Sequence, residues 1–73
     1  MSYLNLVELN KGLDEAKKKI KLFIPNLDNE KIIINLHDNY VNVNYENDDL
    51  TIDIELSILY GKLFITSTEV FED

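Results

Sequence analysis

The chain is 73 residues long, with seven lysines, fourteen carboxylates, no arginine, no cysteine and a formal net charge of −7. A single domain of this size, spanning residues 1–73, buries only about 60% of the surface its unfolded chain exposes, which leaves a stability of roughly 3–5 kcal/mol and makes association with a partner or a second copy helpful. The composition excludes a disulfide framework and a cysteine zinc site; no apolar run reaches membrane-spanning length, the N-terminus does not read as a signal peptide, and cytoplasmic localisation is the expectation.

The charge is divided unevenly. Residues 1–24 carry Lys11, Lys17, Lys18, Lys19 and Lys21 against Glu8, Asp14 and Glu15, a balance of +2; residues 25–73 carry eleven carboxylates against Lys31 and Lys62, a balance of −9. A strongly negative field repels nucleic acid and anionic membranes and draws in basic partners. The missing arginine points the same way, since arginine is the favoured residue for bidentate phosphate and base recognition. Asparagine is abundant, a bias that an AT-rich coding sequence also produces.

Leu6, Leu9, Leu13, Ala16, Ile20 and Phe23 recur at steps of three and four, with Ile24 beside them, which predicts an amphipathic helix over about 6–24. Asn5 is placed to cap it and Glu8 to complete a capping box, while Pro25 ends the run. Gly12 is the weak point, costing about 1 kcal/mol in a helix interior. Asn10-Lys11-Gly12 also reads as a turn, so a strand from Tyr3 to Leu9 followed by a shorter helix stays open. Lys17, Lys18, Lys19 and Lys21 fall toward the helix's C-terminal half, where cations are favoured; contact with the acidic segment of the same or another copy is the alternative use.

A loop over Pro25 to Glu30 follows, after which the period changes from 3.6 to 2. Strands are predicted over about 31–37, 40–46, 50–58 and 63–71, joined by Asp38-Asn39, Asn47-Asp48-Asp49 and Tyr60-Gly61. The predicted fold is α+β: one N-terminal helix packed on one face of a four-stranded antiparallel meander. Setting His37 opposite Tyr40 brings Leu36 to Val41, Ile34 to Val43 and Ile32 to Tyr45. Setting Tyr45 opposite Leu50 brings Val43 to Ile52 and Val41 to Ile54, and setting Ile58 opposite Leu63 brings Leu56 to Ile65. All of these share one face.

The opposite face then reads as three polar rows: Ile33, Asn44 and Thr51; Asn35, Asn42, Asp53 and Thr68; and His37, Tyr40, Glu55 and Thr66. Asp38 lies at one end of it, and Glu46, Asp48 and Asp49 at the other. A sheet covered on one side alternates apolar and polar residues in any case, and negative charge keeps a small protein soluble. Plain solvation is the stronger reading of this face taken alone, and the near absence of lysine on these strands is what supports a docking role beside it.

His37, Tyr40 and Glu55 form a row along which a proton might pass, but no nucleophile or enclosed pocket completes a catalytic site, and the expectation is a protein that is not an enzyme. Asp48, Asp49 and Asp53 match no EF-hand spacing, so no metal and no cofactor are expected. Tyr3, Tyr40, Tyr60, Phe64 and Phe71 cannot all lie beneath one helix, and Phe64 with Ile33 falls on the polar face; aromatics there act as binding hot spots, mark a sheet edge buried in a homodimer or lie beneath a tail folded back over that face, and the sequence leaves all three open.

These features predict a non-catalytic acidic protein-binding module that uses Asp38, Tyr40, Glu46, Asp48, Asp49, Asp53, Glu55 and Phe64 against a protein with a basic surface. It would block a nucleic-acid-binding protein by imitating nucleic acid and would not bind nucleic acid or membrane itself. In general character the chain is similar to the small acidic inhibitors that phages deploy against host nucleases, including anti-CRISPR proteins, a similarity of composition that covers no defined motif. The alternative is a structural or assembly protein that forms a homodimer or larger homo-oligomer through its helix stripe or a free strand edge.

Overall fold

A computed structural model describes residues 4–72. Helix α1 runs Leu6–Phe23 without interruption, so the strand-first alternative does not hold for residues 6–9; its start at Tyr3 lies outside the described residues. Asn5 caps α1 by accepting the Glu8 backbone N–H at 2.9 Å, and the Ile24 N–H closes the last turn on Ile20, just before Pro25. After Pro25 the chain makes a short 3-10 turn, Asn29–Lys31, capped by Asp28; it takes up the end of the expected loop and Lys31, the expected first strand residue.

Four strands follow: β1 (Ile32–Leu36), β2 (Tyr40–Glu46), β3 (Leu50–Leu59) and β4 (Lys62–Glu72). They form one antiparallel sheet in the order β1-β2-β3-β4, with α1 on one face. The core joins Ala16 and Ile20 of the helix to Val41, Val43, Tyr45, Ile52, Ile54 and Leu56 of the sheet, with Leu9, Leu13, Ile24 and Leu27 packed around them. Leu6 and Phe23, at the two ends of the predicted stripe, are exposed.

The centre of the helix contact is a residue that periodicity passes over. Gly12 is buried against β4, and a Cβ built there would stand 2.5 Å from Leu63 Cδ1 and 2.6 Å from Leu63 Cβ. Glycine therefore sits in the helix interior because it lets the helix backbone close onto the strand. The helix lies nearest β4, which leaves the inward side of β1 uncovered: Ile34 and Leu36 are both exposed.

The β1–β2 register is the predicted one, with Ile32 opposite Tyr45, Ile34 opposite Val43 and Leu36 opposite Val41. The β2–β3 register differs by two residues: Tyr45 faces Ile52, Val43 faces Ile54 and Val41 faces Leu56. The cause is the connecting turn. Asn47 accepts the backbone N–H groups of Asp49 and Leu50, both at 2.8 Å, and its own N–H donates to the Leu50 carbonyl. This leaves Asp48-Asp49 as a two-residue loop and lengthens the ladder. A shift of two preserves which face each side chain takes, so the core survives while every cross-strand neighbour on the other face changes.

The turn at Tyr60-Gly61 has positive φ at both positions, 52° and 73°, as the tight hairpin between Leu59 and Lys62 requires. Beyond it the pairing of Ile58 with Leu63 and Leu56 with Ile65 is as predicted, but then the ladder slips. Leu56 faces Ile65 while Glu55 faces Ser67, so Thr66 is an extra residue, a β-bulge. Past the bulge, Thr68 and Val70 face Ile54 and Ile52 on the helix side, and Glu69 and Phe71 take the other face.

Candidate functional site, the outer face of the sheet

The face turned away from the helix is uncovered. Its rungs follow from the observed register: Glu46, Thr51 and Phe71; Ile33, Asn44, Asp53 and Glu69; Asn35, Asn42, Glu55 and Ser67; Tyr40, Ser57 and Phe64. All three expected rows are therefore corrected. Thr51 lies beside Glu46 and Phe71 where Asn44 was expected, Asp53 lies beside Asn44 and Glu69 where Asn42 and Thr68 were expected, and Glu55 lies beside Asn42 and Ser67 where Tyr40 and Thr66 were expected. The two-residue shift between β2 and β3 and the bulge at Thr66 account for all of these.

The expected His37–Tyr40–Glu55 row is not assembled, because Tyr40 is opposite Ser57. His37 instead stacks on Tyr40, with ring centroids 4.2 Å apart and planes inclined by 12°. The carboxylate that would orient the imidazole is displaced along β3. Among the described residues no group of three or more metal-ligating side chains converges.

The asparagines of the outer face form a chain of amides. Asn35 Nδ2 donates to Asn42 Oδ1 at 3.3 Å, and Asn42 Nδ2 donates to Asp53 Oδ1, so a polar network crosses from β1 to β3 and ends on a carboxylate. Such a network fixes the Asp53 side chain in place. At the bulge the Thr66 hydroxyl donates to the Glu55 carbonyl at 3.3 Å and lies 3.4 Å from the Ser57 hydroxyl.

Of the eight residues singled out in the sequence, the structure brings Tyr40, Glu46, Asp53, Glu55 and Phe64 onto one face. Asp48 and Asp49 form the exposed turn at the Glu46 end. Asp38 is in the β1–β2 turn at the opposite end of β2, about 20 Å away by the rise of the strand. The bulge adds three residues that sequence alternation places inward, Ser67, Glu69 and Phe71. A signal for them exists: the apolar residues Leu63 and Ile65 are odd-numbered and the next inward one, Val70, is even, so the alternation itself changes phase.

The result is an acidic centre of Asp53, Glu55 and Glu69, with Tyr40 and half-exposed Phe64 at one end and exposed Phe71 at the other. The one lysine on the outward positions of the strands, Lys62, sits at the hairpin tip. Both ion pairs among the described residues lie within α1, Lys11 with Glu8 at 3.8 Å and Lys18 with Glu15 at 3.6 Å. The sheet carboxylates have no such compensation. Since α1 packs on the inner face, the charge division along the sequence becomes a division in space, with a helix of net charge +2 on one side of a body 17–18 Å across and the uncompensated sheet carboxylates on the other.

No described helix is long and apolar enough to cross a membrane. No known protein-family model matches the chain, and no curated protein or solved structure is significantly similar to it.

Proposed function

We propose that the outer face is a docking surface for a nucleic-acid-binding protein and that the chain is a non-catalytic inhibitor, occupying a basic groove with carboxylates where phosphates would lie. The observation that carries this reading is the direct opposition of Asp53 and Glu69 beside Glu55. Like charges directly across a pair of strands destabilise a sheet, and a lysine at any of these positions would serve solvation better. Carboxylates about 4.8 Å apart between strands and about 6.8 Å apart along them make a repeating anionic surface.

Tyr40, Phe64 and Phe71 supply the apolar anchors from which such interfaces draw much of their affinity. Glu46, Asp48 and Asp49 extend the field at one end and Asp38 at the other. The reading carries with it a cytoplasmic location, where such a partner would be met and where a chain without cysteine needs no oxidation to fold. Assembly through the helix stripe has less support, because Ala16 and Ile20 are fully buried within a single copy.

The test is capture from cell lysate by the purified chain at low and high salt, alongside an Asp53→Lys/Glu55→Lys variant. A nucleic-acid-binding protein retained at low salt, released at high salt and lost with the variant supports the reading. Equal retention by a variant with an unchanged circular dichroism spectrum rejects the face.

A further inference from the structure

We infer that β1 is the seam of a homodimer, in which two copies pair their first strands antiparallel about Ile34. The inference stands apart from the docking reading, since it uses an edge of the sheet and not its outer face. Among the described residues the β1 edge is unpaired in the sheet order, and its sequence, Ile-Ile-Ile-Asn-Leu, carries no charge although 29% of the chain is charged. Ile33 and Leu36 are 57% and 64% exposed. Sheet edges are usually blunted by lysine, proline or a bulge. The β4 edge has Lys62, Glu69, Glu72 and the Thr66 bulge, whereas β1 has none of these devices.

The backbone sets the register. His37 N–H donates to the Tyr40 carbonyl at 3.0 Å, so Ile33 and Asn35, of the same parity, also turn their backbone groups toward β2. Ile32, Ile34 and Leu36 therefore direct their N–H and C=O groups outward. If Ile34 lies opposite the partner's Ile34, then Ile32 lies opposite the partner's Leu36, and every outward group of the strand finds a partner. A slip of one residue would put apolar side chains against the wrong face. A slip of two would leave outward groups at one end of β1 unpaired.

Side chains fit the same register. Ile32, Ile34 and Leu36 of both copies fall on the inner side and extend each apolar core across the seam, on the side that α1 leaves uncovered. Beyond the strand, Lys31 comes opposite the partner's His37 and Glu30 opposite the partner's Asp38, so the ends add no net attraction and the seam rests on its neutral, apolar stretch. Any extended peptide can add to a free edge, but this strand is complementary to itself in hydrogen bonding and apolar pattern.

The chain has no cysteine, which allows a direct test. Sedimentation should give twice the monomer mass. In an Ile34→Cys variant the two thiols would meet across the two-fold axis with Cα atoms about 5.5 Å apart, within disulfide range, so mild oxidation should convert the protein to a covalent dimer. In an Ile32→Cys variant the cysteines would stand about 14 Å apart along the seam and should not link. A monomer at 100-micromolar concentration would overturn the inference. So would a dimer in which Ile34→Cys crosslinks no faster than Ile32→Cys, because the interface would then lie elsewhere.

Discussion

Gly12 and Leu63 meet so closely across the helix–sheet interface that no methyl group fits between them: a Cβ on Gly12 would lie 2.6 Å from the Cβ of Leu63. Helix propensity alone predicts that Gly12→Ala stabilises α1 by about 1 kcal/mol. The contact reverses that sign. Leu63 Cβ belongs to the strand and cannot swing aside, so the helix must lift, and overpacking of this kind costs about 1–3 kcal/mol. Gly12→Ala should lower the urea midpoint, and a midpoint that rises would show that the helix can move off β4 without loss.

Asp53 and Glu69 oppose one another on adjacent strands. Glu69→Lys replaces a repulsive pair with an attractive one and should stabilise the fold by about 0.5–1 kcal/mol. If the face docks a basic partner, the same change should weaken binding. Thermal unfolding and a binding titration on one variant separate the two effects: a gain in stability with unaltered binding would mean that the face is only solvated.

Tyr60 is fully exposed and holds a φ of 52° at the tip of the β3–β4 hairpin. A bulky side chain in that region costs about 1–2 kcal/mol relative to residues that enter it readily, and Asn-Gly is the favoured pair for such a turn. Tyr60→Asn should therefore stabilise the protein by about 1 kcal/mol, measured by chemical denaturation, since no packing is lost.

Thr66 is the extra residue of the bulge. Deleting it would join Ile65 directly to Ser67 in a regular ladder, with Ser67, Glu69 and Phe71 still outward and Thr68 and Val70 still inward. The deletion should therefore leave the fold intact. A deletion variant whose circular dichroism spectrum shows an unfolded chain would contradict the assigned register. Thr66→Ala, which loses the hydroxyl from the Glu55 carbonyl and from Ser57, should cost about 1 kcal/mol in circular dichroism melts.

Much of this architecture is legible in the sequence because two signals are strong. The change of period after Glu30 separates helix from sheet, and the parity of Ile32, Val41, Val43, Ile52, Ile54 and Leu56 assigns the inner face whichever even register is taken. That same insensitivity hides the correct pairing of β2 with β3: Tyr45 opposite Leu50 and Tyr45 opposite Ile52 bury the same residues, and only the Asn47 side chain, which pairs with its own turn, selects between them. The bulge is local and depends on a phase change spread over five residues. The role of Gly12 depends on which strand the helix approaches, and helical periodicity carries no information about that. So Asp53, Glu55, Tyr40 and Phe64 were legible as outward residues, while their neighbours, together with Glu69 and Phe71, were not.

The lysines of α1 and the carboxylates of the outer face lie on opposite sides of a thin body, and this gives the molecule a permanent dipole moment directed across its sheet. Attraction alone would bring a polyanion to a cationic groove in any attitude. A dipole adds torque: if the outer face docks as proposed, then within a Debye length or so of the groove it would be turned inward and the lysine side outward before contact. Productive encounters would then form a larger share of all collisions, raising the association rate through orientation, and added salt should slow that rate more than it hastens dissociation.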